Sequence, residues 1–122
     1  MSIQNALASV AVSDLRAAQP WYEKLLQKPA SQPMPEVAEW HFERGGGLQI
    51  YELPERAGSG SFTLAVDDLD DHVRRLERLN IDTHQRTEDA RVRTVMIRDL
   101  DGNHIAVAQT LVARPVSDRP RG

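Results

Sequence analysis

A repeat at an offset of 54 residues constrains this 122-residue chain more than any other feature of its sequence. Residues 6–15 read ALASVAVSDL and residues 60–69 read GSFTLAVDDL, so both place Val, one further residue, Asp and Leu after alternating apolar residues. The alternation predicts a strand, and the Asp predicts the N-cap of a helix that follows it. Because a fixed-period repeat marks a duplicated structural unit, we expect two copies of one module.

The segment after each capping Asp has helical character. In the second copy Leu69, Val73, Leu76 and Leu79 recur at helical spacing, and Asn80 suits the left-handed residue that ends a helix. The segment after the first Asp is less regular, because a proline falls inside it and removes one backbone hydrogen bond. Each copy therefore begins as a strand followed by a helix.

Strand signals follow each predicted helix. The predicted strands are residues 39–43 and 48–53 in the first copy and 81–85, 91–98 and 104–111 in the second, with Gly-rich or Asp-Gly hairpin turns. Residues 28–36 contain three prolines and predict a loop. We therefore predict an α+β fold of two βαβββ modules, about residues 3–54 and 60–112, within one domain over residues 1–113. Residues 114–122 are predicted to be a flexible tail.

Composition excludes several classes of protein. The sequence contains no cysteine, which removes disulfides, thiolate metal sites and a cysteine nucleophile. The net charge of -3 argues against nucleic-acid binding. No apolar run approaches the ~18 residues of a membrane span, and the first residues lack the pattern of a signal peptide. The expectation is a soluble, cytoplasmic protein with no nucleic-acid or membrane partner.

Two short motifs carry a resemblance to a known family. Residues 12–15 (VSDL) with 21–26 (WYEKLL) are similar to the first-module signature of the vicinal oxygen chelate superfamily, and residues 99–105 (DLDGNHI) resemble its second-module signature. This superfamily includes glyoxalase I, bleomycin resistance proteins and extradiol dioxygenases. The resemblance covers about residues 3–112. It implies paired βαβββ modules that form a curved, cup-shaped mixed sheet with helices on the outer face, often in a homodimer, with a ligand pocket inside the cup.

In metal-using members, the resemblance implies four ligands, one from the first and one from the last strand of each module. Counting seven residues back from the capping Asp of each copy gives Leu7 and Ser61, and the last-strand positions fall at Gln49 and Ala106. Leu and Ala offer no lone pair, and a lone neutral amide oxygen cannot replace the roughly three strong donors that Zn²⁺, Ni²⁺ or Fe²⁺ require. The sequence therefore predicts no metal and no other cofactor at these positions.

A displaced metal site is an alternative. His41, His104, Glu39 and Glu43 are its candidate ligands. A histidine on a strand is more often a hydrogen-bonded or half-exposed side chain than a ligand, so we favour the metal-free interpretation.

Strand alternation predicts which side chains line the cup. They are small or polar, unlike the bulky apolar set expected on the helix-packing face, and small residues on a concave sheet leave space for a ligand. The same small residues could instead let strands or subunits pack closely. The predicted pocket residues are Leu7, Ser9, Trp40, His41, Gln49, Tyr51, Ser61, Thr63, His104 and Ala106.

Three functions remain open from the sequence. The first is a metal-free protein that binds a small organic molecule in the cup without chemistry, as a homodimer. The second is a lyase or dioxygenase-type enzyme with a displaced or metal-free site, in which His41, His104 or Tyr51 acts as the acid–base group. The third is a dimeric interaction module without a ligand.

Overall fold

The computed structural model describes residues 2–111, which form two helices, eight strands and one short 3-10 helix. Both predicted modules have the order βαβββ, so the predicted α+β fold is confirmed. The elements are β1 (Ala6–Val12), α1 (Leu15–Leu26), β2 (Ser31–Met34), β3 (Val37–His41), β4 (Gly46–Glu52), the 3-10 helix (Pro54–Arg56), β5 (Ser61–Ala65), α2 (Leu69–Arg78), β6 (Arg86–Glu88), β7 (Val92–Arg98) and β8 (His104–Thr110).

The two four-stranded sheets share one strand order. The first sheet is ordered β1-β4-β3-β2 and the second β5-β8-β7-β6, so each places the first strand of its module beside the last. In the first sheet β1 runs parallel to β4, from Ala6 opposite Gly46 to Val12 opposite Glu52, and β3 runs antiparallel to β4. The sequence repeat is therefore a repeat of topology.

Both predicted N-caps are confirmed. Asp14 Oδ1 accepts a hydrogen bond from the backbone N–H of Arg16 at 3.0 Å, and Asp68 Oδ1 accepts one from Asp71 N at 3.1 Å. Asn80 has the predicted left-handed backbone, with φ 62°. Helix α1 continues through its internal proline to Leu26.

Two strand predictions are wrong in detail. Residues 31–34, predicted as loop, form β2, which pairs with β3 at the edge of the first sheet, where prolines are tolerated because edge N–H groups need no partner. Residues 81–85, predicted as a strand, are irregular, and the strand starts at Arg86. The Asp82 carboxylate accepts from the backbone N–H of His84 at 3.0 Å, a local bond that competes with a strand ladder.

Contacts divide the chain into two compact units that differ from the sequence modules. Among the described residues, the first unit contains residues 2–62 together with Arg98–His104, and the second contains Thr63–Ile97 and residues 105–111. The hairpin between β7 and β8 thus packs with the first unit, although it belongs to the second module in sequence. The single domain over residues 1–113 stays a prediction, and the predicted tail lies outside the described residues.

In the first unit α1 covers one face of the sheet. Tyr22 and Leu25 of the helix are buried, as are Val10, Leu48 and Ile50 of the sheet. Burial of such side chains contributes about 1.5–3 kcal/mol each relative to exposure. Odd-numbered residues of β1, β3 and β4 consequently face the other side of the sheet.

The second unit has a core of the same kind. Leu69, Val73 and Leu76 of α2 are buried as predicted, together with Val95 and Val107 of the sheet. Neither helix within residues 2–111 is long and apolar enough to cross a membrane.

Candidate functional site

A hydrogen-bonded row of side chains crosses three strands of the first sheet. Sheet register places Ser9 of β1 opposite Gln49 of β4, and Gln49 opposite Glu39 of β3. The Ser9 hydroxyl donates to Gln49 Oε1 at 3.2 Å, and Gln49 Nε2 donates to Glu39 Oε2 at 2.7 Å. His41 Nε2 lies 3.3 Å from Glu39 Oε1. We call Ser9, Gln49, Glu39 and His41 the polar row; it lies on the face away from α1.

The hydrogen bonds of the polar row all donate in one direction, toward Glu39. Ser9 donates to the oxygen of the Gln49 amide, which leaves the amide nitrogen to donate onward to Glu39. The row therefore converges on the Glu39 carboxylate, an acceptor with about four lone-pair positions. The side chains of Glu39 and His41 are 20% and 56% exposed, so a ligand can reach both.

Two further predicted pocket residues lie beside this row. Leu7 is opposite Gly47 in the register, and its side chain lies over that glycine, since a Cβ there would be 2.8 Å from Leu7 Cγ. Tyr51 is half-buried and shares the face of Gln49 by strand alternation. The structure thus brings five of the predicted pocket residues, Leu7, Ser9, His41, Gln49 and Tyr51, to one face of one sheet.

Trp40 does not join them. Its side chain lies on the opposite face, 1% exposed, with its ring centroid 5.9 Å from that of Tyr22 in α1. Its indole Nε1 donates to the backbone oxygen of Lys28 at 2.8 Å. Trp40 therefore packs in the core beneath the helix, because alternation places it opposite to Glu39 and His41.

The remaining predicted pocket residues lie on neighbouring strands of the second sheet. Ser61 and Thr63 of β5 are exposed, and His104 and Ala106 of β8 are half-buried. Whether they complete a pocket with the polar row stays a prediction.

The four metal-ligand positions implied by the family resemblance do not fit a metal. Leu7 and Ala106 have no donor atom, and both ends of the Gln49 amide are engaged within the polar row. Within residues 2–111, no group of three or more His, Cys, Asp or Glu side chains could hold a metal ion. Glu39 and His41 form a pair without a third such group, so the displaced set of candidates does not assemble into a centre there either.

A second polar cluster in the first unit has no counterpart among the sequence-predicted site residues. Asp99, in the turn between β7 and β8, is 7% exposed, and its Oδ1 accepts from the backbone N–H of Asp101 and Asn103 at 3.0 and 2.9 Å. Its Oδ2 accepts from the Tyr22 hydroxyl at 2.6 Å and from Asn103 Nδ2 at 2.8 Å. All four contacts come from the chain itself, so this carboxylate is saturated.

Asn103 extends this cluster to the backbone of the first module. It is fully buried; its Nδ2 also donates to the oxygen of Ala11 at 2.9 Å, and its Oδ1 accepts from the N–H groups of Gly58 and Gly60 at 3.1 and 2.8 Å. The Ser13 hydroxyl donates to the Asp101 carboxylate at 2.5 Å. The turn therefore fixes the end of β1 and the segment before β5. A tyrosine on an otherwise apolar helix face is the sequence signal that could have indicated such a partner.

The environment of Tyr22 changes its acidity. Burial raises the pKa of the Tyr22 hydroxyl, and the hydrogen bond to Asp99 and the negative charges of Asp99 and Asp101 raise the pKa further. The hydroxyl remains a proton donor to Asp99, which is a structural role.

Comparison with solved structures identifies the family. A glyoxalase/bleomycin resistance protein from Catenulispora acidiphila DSM 44928 is 36% identical to this chain, with a TM-score of 0.78; the match covers 88% of this chain and 98% of that one. The chain belongs to the glyoxalase/bleomycin resistance protein family. The predicted membership of the vicinal oxygen chelate superfamily is confirmed.

Other members of this fold differ in activity. TnmS3, an antibiotic binding protein from Streptomyces sp. CB03234, is 25% identical with a TM-score of 0.77, and the match covers 90% of this chain and 98% of that one. A lactoylglutathione lyase from Agrobacterium tumefaciens is 20% identical with a TM-score of 0.73, covering 88% and 92%, and shares the fold alone. No protein-family model and no curated protein matches the chain.

Proposed function

We propose that this family member binds a small organic molecule, without a metal, at the face of the first sheet that carries the polar row. The observation that supports it most is the row itself: hydrogen-bonding groups held in register by three strands, beside the apolar side chain of Leu7. A mainly apolar pocket with a few placed polar groups is typical of small-molecule sites, and we propose that this face lines such a pocket. The antibiotic-binding relative supports the same class of function.

Thermal unfolding in the presence of aromatic antibiotics and hydroxylated metabolites tests this proposal. A binder raises the unfolding temperature with the logarithm of its concentration over Kd, with about 2.7 kcal/mol of stabilisation at a hundred times Kd. Gln49→Ala should remove the shift, since it interrupts the row, while Gln4→Ala, an exposed position outside the strands, should leave it intact. If no compound shifts wild type, the ligand-free interaction module is favoured instead.

We also propose that the protein is a homodimer. Support comes from β1, which is an edge strand of the first sheet and whose residues 6–9 are exposed in the single chain, Leu7 at 36%. Sedimentation equilibrium should give twice the 13.7 kDa chain mass. Ala8→Lys, on the exposed part of this edge strand and on the face opposite the polar row, should shift the mass toward the monomer. A wild type that is monomeric at high concentration excludes the proposal.

An enzyme of the lyase or dioxygenase type is the second candidate. The contact between His41 Nε2 and Glu39 Oε1 favours it, because a carboxylate beside an imidazole can orient a general base. If this function holds, His41→Gln abolishes turnover of an α-hydroxy thioester or catechol-type substrate. Stoichiometric metal in the purified protein, with loss of binding on chelation, would overturn the metal-free proposal.

A further inference from the structure

We propose that Glu39 selects the ligand, and that the ligand carries a positively charged nitrogen group, a protonated amine or guanidinium, on an apolar body. This inference rests on the proposed function and names the chemical class that the same face prefers.

The Glu39 carboxylate has unfilled acceptor positions. Its carboxylate receives one hydrogen bond from Gln49 and lies near the imidazole of His41, whereas a carboxylate has about four acceptor positions. The Gln49 amide is already oriented by Ser9 with its nitrogen toward Glu39, so the row presents a negative end to an incoming group. The group that completes this arrangement is a donor, and a charged donor gives the stronger bond.

No Lys or Arg side chain within residues 2–111 forms an ion pair with Glu39. The strands of the first sheet, residues 6–12, 31–34, 37–41 and 46–52, contain no Lys and no Arg. Within residues 2–111, Glu39 has His41 as its single ion-pair contact. Lys28 reaches the same strand but donates to the backbone oxygen of His41 and lies 5.9 Å from the centre of the Phe42 ring.

The other carboxylate of this sheet does not compete for the ligand. Glu52 lies on the opposite face, where its Oε1 accepts from the backbone N–H of Leu15 at 2.9 Å, at the start of α1. Glu39 is therefore the one acidic side chain that the strands of this sheet present on the face of the polar row, and it is partly shielded from water. Partial shielding strengthens its interaction with a cation compared with a fully solvated carboxylate.

The apolar surroundings define the rest of the ligand. Leu7 covers Gly47 directly beside the row, and Tyr51 shares the face, so a flat hydrocarbon or aromatic body can contact them while its charged group reaches Glu39.

Three probes of the same shape test the proposal: naphthylmethylamine, naphthalenemethanol and naphthoate, which are cationic, neutral and anionic. Titration of ¹⁵N-labelled protein, followed by amide chemical shifts, gives both affinity and location. The amine should bind about tenfold more tightly than the alcohol, the naphthoate most weakly, with the largest shifts at Ser9, Glu39, His41 and Gln49. Raising the salt concentration should reduce the preference for the amine.

Glu39→Gln is the decisive variant, because it keeps the shape and removes the charge. In this variant the amine should bind at most about twofold more tightly than the alcohol, and the alcohol should bind as it does to wild type. Glu55→Gln removes one charge from the exposed 3-10 helix and should keep the full preference. The amide spectra of both variants report whether each remains folded.

The outcomes separate the two proposals. Equal binding of amine and alcohol to wild type overturns the cation preference and leaves the small-molecule function standing. A preference that survives in Glu39→Gln shows that another group selects the ligand, and overturns the role of Glu39. If no probe changes the amide chemical shifts of the polar row, both proposals fail. Both also fail if those chemical shifts depend on protein concentration because a second copy of the chain covers the face.

Discussion

Two carboxylates of the first unit, Asp99 and Glu39, bind a neighbouring side-chain amide in nearly the same way but differ in what else they contact. Asp99 accepts from Asn103 Nδ2 at 2.8 Å, and Glu39 accepts from Gln49 Nε2 at 2.7 Å. Asp99 is buried and also accepts from a hydroxyl and two backbone N–H groups. Glu39 lies on an accessible sheet face with an imidazole as its further neighbour. A carboxylate saturated by its own chain holds the fold, whereas one with open acceptor positions is available to a ligand.

The largest expected effect is at Asn103, the centre of the saturated cluster. Asn103→Ala leaves the N–H groups of Gly58 and Gly60 and the oxygen of Ala11 without their partner in a buried site. We expect the free energy of unfolding to fall by about 3–5 kcal/mol, since each unsatisfied buried group costs about 1–3 kcal/mol. Urea titration measures the change. The exposed Asn5→Ala is the control, and a loss below about 1 kcal/mol at Asn103 would show that the cluster is not a structural anchor.

A smaller loss is expected at Tyr22. Tyr22→Phe removes the hydroxyl that donates to Asp99 and retains the ring. The buried carboxylate then lacks one donor, which should lower the free energy of unfolding by about 1–3 kcal/mol in chemical denaturation. Tyr51→Phe is the matched control, because its hydroxyl forms no hydrogen bond within residues 2–111. Equal stability of the two variants would contradict a role for the Tyr22 hydroxyl.

Asp99 and Glu39 should respond differently to the same isosteric change from carboxylate to amide. Asp99→Asn replaces an acceptor by a donor that faces other donors and should cost about 2–4 kcal/mol. Glu39→Gln should change the free energy of unfolding by less than about 1 kcal/mol, since its open positions are exposed to water. Parallel urea titrations measure both. Similar losses would place Glu39 among the structural groups and remove the physical basis for a ligand contact.

A third carboxylate, exposed on α2, should show the smallest effect. Asp70 Oδ1 lies 2.8 Å from Arg93 Nη2, and this hydrogen bond and the arginine charge lower the pKa of Asp70. A carboxyl whose folded pKa is lowered stabilises the protein above its unfolded pKa, and the contribution disappears as the pH falls through the folded value. Asp70→Asn should thus be slightly less stable than wild type at pH 7 and equal to it at pH values well below about 3.9.

Unfolding at several pH values, with Glu55→Gln as control, measures this difference. If Asp70→Asn is still less stable than wild type in strong acid, the stability difference does not come from the ion pair between Asp70 and Arg93. If Asp70→Asn lost as much free energy of unfolding at neutral pH as Asp99→Asn, the expectation that buried carboxylates contribute more than exposed ones would be contradicted.

Much of the fold follows from patterns that are local in sequence. Asp14 and Asp68 cap helices because a short carboxylate reaches the free N–H groups of a first helical turn, and this geometry does not depend on distant residues. Strand alternation likewise places Leu7, Ser9, Gln49, Tyr51 and His41 on one face. The same rule places Trp40 on the other face, in the core beneath α1.

Features that depend on pairing between distant segments could not be predicted in this way. Residues 31–34 of the predicted loop form β2 because β3 offers them a strand to pair with. Residues 81–85 do not form a strand, and there the Asp82 side chain accepts a hydrogen bond from the backbone N–H of His84. The cytoplasmic location and the domain limits remain predictions from the sequence.

The sequence by itself determined the duplication, the strand and helix that begin each module, the helix caps and the absence of strong metal donors at Leu7, Ser61 and Ala106. Each of these depends on residue type and short spacing. Only the tertiary structure decided that Glu39 accepts a hydrogen bond from Gln49. It also decided that Asp99 accepts one from Tyr22 and that Asn103 donates one to the backbone oxygen of Ala11. These partners are separated by 10, 77 and 92 positions in the chain. Sheet register and packing bring them within hydrogen-bond distance, and a pattern of residue types does not encode that distance.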